Sequence, residues 1–170
     1  MHPHRFAPAV LALLALAFTA PVAAHAQGGV KVSMTAHRVT TTEQGVERLE
    51  PADQAKPGET IEYRARYRNE GGAAVRRLVA SLPIPAGMEF VPGTAAPAQV
   101  LASLDGKSFA PVPLTRRVKY ANGEVVEERV PYREYRALRW TLGDLAANGV
   151  ETVRARMRVS PIGVATNVGN

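Results

Sequence analysis

Two stretches of this chain alternate strictly between two kinds of side chain, and that alternation limits what it can fold into. In Thr60–Asn69, TIEYRARYRN, Ile61, Tyr63, Ala65 and Tyr67 fall on one side, and Glu62, Arg64, Arg66 and Arg68 fall on the other. Near the end, Val150–Ser160 repeats the pattern, with Val153, Ala155, Met157 and Val159 against Arg154, Arg156 and Arg158. A period of two segregates these sets on the two faces of a β-strand, whereas a helix would scatter them around its circumference. Nothing long in the sequence carries helical periodicity.

Turn chemistry brackets the first strand: Pro57-Gly58 precedes it and Asn69-Glu70-Gly71-Gly72 follows. The next strand, Ala73–Leu82, breaks its alternation at Arg76-Arg77, which predicts a bulge. Pro83 and Pro85 then end it, because proline has no amide to donate. Further strands are expected at Val30–Thr40, Met88–Val91, Gln99–Leu104, Phe109–Val112, Thr115–Tyr120, Glu124–Val130 and Tyr135–Thr141. Asp105-Gly106 and Asn122-Gly123 tolerate positive φ and mark two hairpins. Roughly ten strands separated by turns predict an all-β chain, a two-sheet antiparallel β-sandwich. The segment 161–170 is expected to be a tail or an edge strand.

The first 26 residues have the character of a signal peptide. A basic start (His2, His4, Arg5) leads into the apolar run Ala9–Ala20, and Ala24-His25-Ala26 supplies the small-x-small pattern of a cleavage site. The apolar run is about 12 residues, short of the ~20 that a membrane-spanning helix needs. Cleavage before Gln27 leaves residues 27–160 as one domain with one core. Without Arg5, 20 Lys and Arg stand against 15 Asp and Glu, so the product is moderately basic. There is no cysteine, which excludes disulfide bracing, a thiolate nucleophile and lipid attachment through a cysteine. No second apolar stretch of spanning length follows. The expected product has no membrane span and is periplasmic or secreted.

Several phrases, taken in order, resemble one known family. They are Gly58-Glu59-Thr60-Ile61-Glu62-Tyr63 running to Asn69-Glu70-Gly71, then Pro83–Gly93 (PIPAGMEFVPG) and Ser103–Phe109 (SLDGKSF). Tyr135–Trp140 (YRALRW), Leu142–Gly149 (LGDLAANG) and the closing alternating strand complete the set. Together they cover roughly Pro51–Val159 and are similar to the bacterial conserved-repeat Ig-like domains catalogued as domain of unknown function eleven. The single copy here looks like the short, single-domain Gram-negative branch. The resemblance implies an Ig-like sandwich on an exported or cell-envelope protein, and it carries over no catalytic residues.

An enzyme would need a nucleophile, a base or a metal site. After the leader there is one histidine, His37, on a strand where the sequence offers no acidic neighbour in register, so it reads as an ordinary strand residue. His and Cys are too few for a zinc site. Asp105-Gly106 lacks the further carboxylates of a calcium loop, Asp53 and Asp144 are isolated, and Glu127-Glu128 reads as solvated. Gly71-Gly72 is a strand connection and not a phosphate loop. No catalytic residue, cofactor or metal ligand is therefore assigned. Trp140 sits in the alternation Leu138-x-Trp140-x-Leu142 and is expected in the core, although an exposed indole could stack on a sugar. Tyr132 and Tyr135, flanked by Arg133 and Arg136, are candidates for a binding rim.

The arginines are the one unusual feature. Arg64, Arg66 and Arg68 share a face, as do Arg154, Arg156 and Arg158. If the two strands are antiparallel neighbours, as in Ig-like sandwiches of this order, six guanidinium groups occupy one outer sheet surface, with Glu62 the nearest counter-charge. Like charges directly opposite destabilise by up to about 1 kcal/mol per pair, which an acidic partner would relieve. The plainer reading is a solubilising surface that protects against aggregation. The sequence thus points to a non-enzymatic exported module that binds an envelope protein or serves a structural role. The alternative is an anion-binding module that uses the arginine face for lipopolysaccharide, acidic glycan or nucleic acid.

Overall fold

The alternation of Thr60–Asn69 becomes a strand with those bounds, inserted in the middle of a sheet. The computed structural model describes residues 29–161; the expected leader and its cleavage point, and the tail beyond Pro161, lie outside the described residues. Among the described residues eleven strands follow one another: β1 (Val30–Thr41), β2 (Glu47–Pro51), β3 (Thr60–Asn69), β4 (Val75–Pro83), β5 (Met88–Phe90) and β6 (Leu101–Ser103). After them come β7 (Ala110–Pro111), β8 (Thr115–Lys119), β9 (Val125–Arg129), β10 (Ala137–Leu145) and β11 (Val150–Val159). Sheet A has the order β2-β1-β3-β11-β5, sheet B the order β4-β10-β6-β7, and β8-β9 form a separate ribbon. Every strand pairing is antiparallel. The one helical element among the described residues is a single 3₁₀ turn, Tyr132–Glu134, so the chain is all-β and its arrangement fits a β-sandwich. No helix among the described residues is long and apolar enough to cross a membrane.

The inward residues of both sheets form one core. Ile61, Ala65 and Tyr67 of β3 and Val153, Ala155 and Met157 of β11 join Leu78, Ala80 and Leu82 of β4 and Leu138 and Trp140 of β10. Trp140 is 1% exposed, and its indole N–H donates to the carbonyl of Pro97 at 2.8 Å, so its single polar group is satisfied inside the core. Tyr135 corrects the expectation of a binding rim. It is fully buried, its hydroxyl accepts the Leu114 amide at 2.7 Å, and its ring lies beside Phe90. Half-buried Tyr132 packs edge-on against the same Phe90, at 5.9 Å between centroids. A tight 3₁₀ turn before β10 swings both rings under the chain, which strand alternation does not anticipate.

Two polar side chains close the body of the fold. Buried Asn69, at the end of β3, donates to the carbonyls of Ala73 (2.8 Å), Ala146 (3.0 Å) and Leu145 (3.2 Å) and accepts the Gly71 amide (3.0 Å). It ties sheet A to the end of β10 in sheet B. The Tyr67 hydroxyl accepts the Ser81 amide at 3.0 Å and donates to the Ser81 carbonyl at 3.2 Å, which blocks β4, an edge strand, against further pairing.

The expected bulge at Arg76-Arg77 is present. Arg77 has φ +52°, the β4–β10 register shifts at Gly143, and Asp144 accepts the Arg77 amide at 2.9 Å. Asp105 does turn work as well, accepting from the Lys107 and Ser108 amides (2.7 and 2.8 Å) and the Ser103 hydroxyl (2.8 Å). These bonds hold its carboxyl well below the usual carboxylate range.

Candidate binding face

β3 lies between β1 and β11, so the outer face of sheet A can be read in rows. Across β1, β3 and β11 they run His37–Glu62–Arg156, Thr35–Arg64–Arg154, Ser33–Arg66–Thr152 and Lys31–Arg68–Val150. Arg158 follows opposite Thr60 and beside Glu89 of β5. The sequence-predicted arginines do therefore share one sheet face. Tyr63, Tyr67, Val153 and Met157 lie beneath them on the inner side.

Their exposure and partners differ along the face. Glu62 points to the outer face yet is 1% exposed, because arginines cover it. Its Oε1 accepts from Arg64 Nε at 2.7 Å; its Oε2 accepts from Arg156 Nε at 3.0 Å and from Arg154 Nη1 at 3.5 Å. Burial pushes this carboxyl up, but the bonds from Arg64 and Arg156 and the charges of Arg64 and Arg154 outweigh it and hold it below its ordinary value. The Arg156 side chain, 20% exposed, also grips Glu47 of β2 through Nη1 (2.8 Å) and Nη2 (2.7 Å). That fork lowers the Glu47 carboxyl and raises the Arg156 guanidinium. Arg158 stands 3.9 Å from Glu89.

The other end of the face is built differently. Arg66 and Arg68 are exposed, and no ion pair engages either among the described residues. Lys31 adds a third cation, with Glu70 at 3.9 Å on the rim. Ser33 and Thr152 flank Arg66 in its row, so short hydroxyl side chains surround the long cation. At one end of the face three arginines thus share two carboxylates, and at the other Arg66 and Arg68 have no ion-pair partner among the described residues. Lys31 could have been found from the alternation of β1 alone, but the role of Glu47 could not.

His37 also needs correction. The register sets it directly opposite Glu62, an acidic neighbour that the sequence did not reveal because the offset between β1 and β3 is not written in either strand. No hydrogen bond joins the two: both Glu62 oxygens are engaged by arginines, and His37 Nδ1 is buried without a partner. Among the described residues no three His, Cys, Asp or Glu side chains cluster to hold a metal. A shallow groove of about 590 Å³ between β5 and the β6–β7 edge is lined mainly by Phe90, Ala95, Val100, Leu101 and Val112 and carries no ionisable side chain. Against known proteins, no family model, curated protein or solved structure matches the chain.

Proposed function

We propose that this chain is an exported, non-enzymatic Ig-like module that binds another protein of the cell envelope through the outer face of sheet A. The observation that carries the reading is the division of that face. Arg64, Arg154 and Arg156 converge on Glu62 and Glu47, whereas Arg66 and Arg68 make no ion pair among the described residues and stand at the other end with Lys31, 3.9 Å from Glu70. Exposed guanidinium groups, of which Arg66 is flanked by the hydroxyls of Ser33 and Thr152, suit carboxylates of a partner, which they meet bidentately. The Ig-like assignment draws on the family resemblance and on the antiparallel pairing of β3 with the last strand. The non-enzymatic reading draws on Glu62, the one buried acid among the described residues, whose oxygens are already taken.

The alternative is an anion-binding module for lipopolysaccharide, acidic glycan or nucleic acid, and the same three cations support it. A long polyanion profits from a continuous stripe, and the ion pairs to Glu62, Glu47 and Glu89 interrupt this one. That favours the protein partner. The test is a photo-crosslinker in place of Arg68 in the full chain, expressed in its native envelope. One discrete protein adduct that Arg66→Glu abolishes is the expected result. Adducts to polysaccharide or nucleic acid, or none to protein, would favour the alternative.

A further inference from the structure

β1 is a twelve-residue strand that sheet A pairs on both sides over only part of its length. β3 covers Val30–Arg38, whereas β2 covers only His37–Thr41. From Val30 to Thr35 the β2 side of the strand has no backbone partner among the described residues. Strand parity identifies the groups left open. The Gly29 carbonyl accepts from Glu70, so odd positions turn toward β3; the Ala36 carbonyl accepts from Ala52, so even positions turn the other way. The amides and carbonyls of Val32 and Met34 therefore line a free edge, and Met34 beside them is 45% exposed.

We infer that this edge of β1 accepts an extended segment of an acidic partner as an additional strand of sheet A. Backbone groups of Val32 and Met34 would supply the pairing, and the guest's alternate side chains would meet two different surfaces. On the inner side lie Val32 and Met34, which suit apolar residues. On the outer side lie Lys31, Ser33 and Thr35, with Arg66 and Arg68 one strand further, about 4.8 Å away. Ser33 is short enough for the Arg66 guanidinium to reach over it toward a guest carboxylate. Charge decides the occupant: the β1 of a second copy would extend the face with more cations and no acid, whereas a strand alternating apolar and acidic residues matches both surfaces. The open backbone groups require a peptide, which a glycan or nucleic acid does not provide. This inference rests on the protein-binding reading above and names the edge and the chemistry of the partner.

The probe is a synthetic peptide of alternating valine and glutamate, seven residues long, titrated into the full exported chain and followed by amide NMR and calorimetry. The expected result is saturable binding that protects the Val32 and Met34 amides from hydrogen exchange. The same peptide N-methylated on alternate residues, in the register that blocks pairing, should bind roughly tenfold more weakly or worse. Arg66→Glu should weaken binding while leaving the exchange pattern of the core unchanged. Equal binding of the methylated peptide would overturn the edge and leave a face that attracts acidic chains without pairing. Absence of peptide binding, with the crosslink from position 68 retained, would overturn the edge while the protein-binding reading stands. Val32 and Met34 amides already protected without peptide would also overturn it: a second copy if protection grows with protein concentration, segment 162–170 if it does not.

Discussion

Arg156 and Glu47 form a two-bond fork across the outer face of sheet A, at 2.8 and 2.7 Å, while the Nε of the same guanidinium holds Glu62 at 3.0 Å. The pair connects β11 to β2, two strands that do not pair in the sheet. It anchors a short edge strand whose five residues are all exposed and bring little apolar burial of their own. Here an ion pair supplements the backbone ladder to β1 where packing contributes little.

Removing the centre of that arrangement should be costly, and removing its periphery should not. Glu62→Gln keeps the shape but withdraws the charge that Arg64, Arg154 and Arg156 converge on. Because those arginines are partly solvated, the expected loss is about 2 kcal/mol, below that for a fully buried pair. Arg66→Ser, at an exposed position with no ion pair, should stay within about 0.5 kcal/mol of the parent. Urea midpoints of the two variants check the contrast; equal midpoints would mean that Glu62 organises nothing.

Acid should weaken the fold through the same carboxylates. Glu62 and Glu47 both have folded pKa values below their ordinary value of 4.5. The unfolded chain therefore takes up protons first as pH falls. Their contribution is full above about pH 5 and is lost as pH drops through the lowered folded values. Urea midpoints should be flat from pH 7 to 5 and decline below, and Glu62→Gln should show a shallower decline. A midpoint that rises on acidification would contradict the assignment.

Asn69→Ala leaves the carbonyls of Leu145, Ala146 and Ala73 without their shared donor. A cost of about 2 kcal/mol is expected. Asn69→Asp should be worse, since it sets a carboxylate against three carbonyls. Thermal melts of the two variants, ranked against each other, test whether this amide is the tie between the sheets.

Trp140→Ala removes the largest fully buried side chain and strands the Pro97 carbonyl. The loss should be about 3–5 kcal/mol. An unchanged melting temperature would place the ring outside the core.

Most strands were legible because alternation reports faces directly. β3 has its expected bounds, β11 differs by one residue, and the paired arginines on each show the faces to be right. β2 was missed for the opposite reason: ERLEP is an exposed edge with nothing to alternate. Parity assigned Glu62 to the outer face but could not show that three long guanidinium side chains would fold over it and bury it. Tyr135 was misplaced because its position depends on a 3₁₀ turn and on the Leu114 amide, contacts set by tertiary packing. The His37–Glu62 register and the uncovered half of β1 depend on strand offsets that no single segment encodes.

The cationic end of the face gives the last prediction. Arg66→Ser with Arg68→Ser removes the two arginines of the face that make no ion pair among the described residues and leaves the Glu62 network untouched, because neither contacts it. The melting temperature should stay within a few degrees of the parent, as surface changes away from buried networks usually cost little. Retention on a heparin matrix should fall, and the salt dependence of elution should flatten, because fewer counterions are displaced on binding. Arg154→Ser offers the internal comparison. Arg154 lies beside Arg64 but reaches Glu62 only at 3.5 Å, so its loss should lower retention less than the double change and cost slightly more stability. Unchanged retention in the double variant would show the arginines to be a solubilising surface, and a loss of retention from Arg154→Ser as large as that from the double change would remove the division of the face on which the functional reading depends.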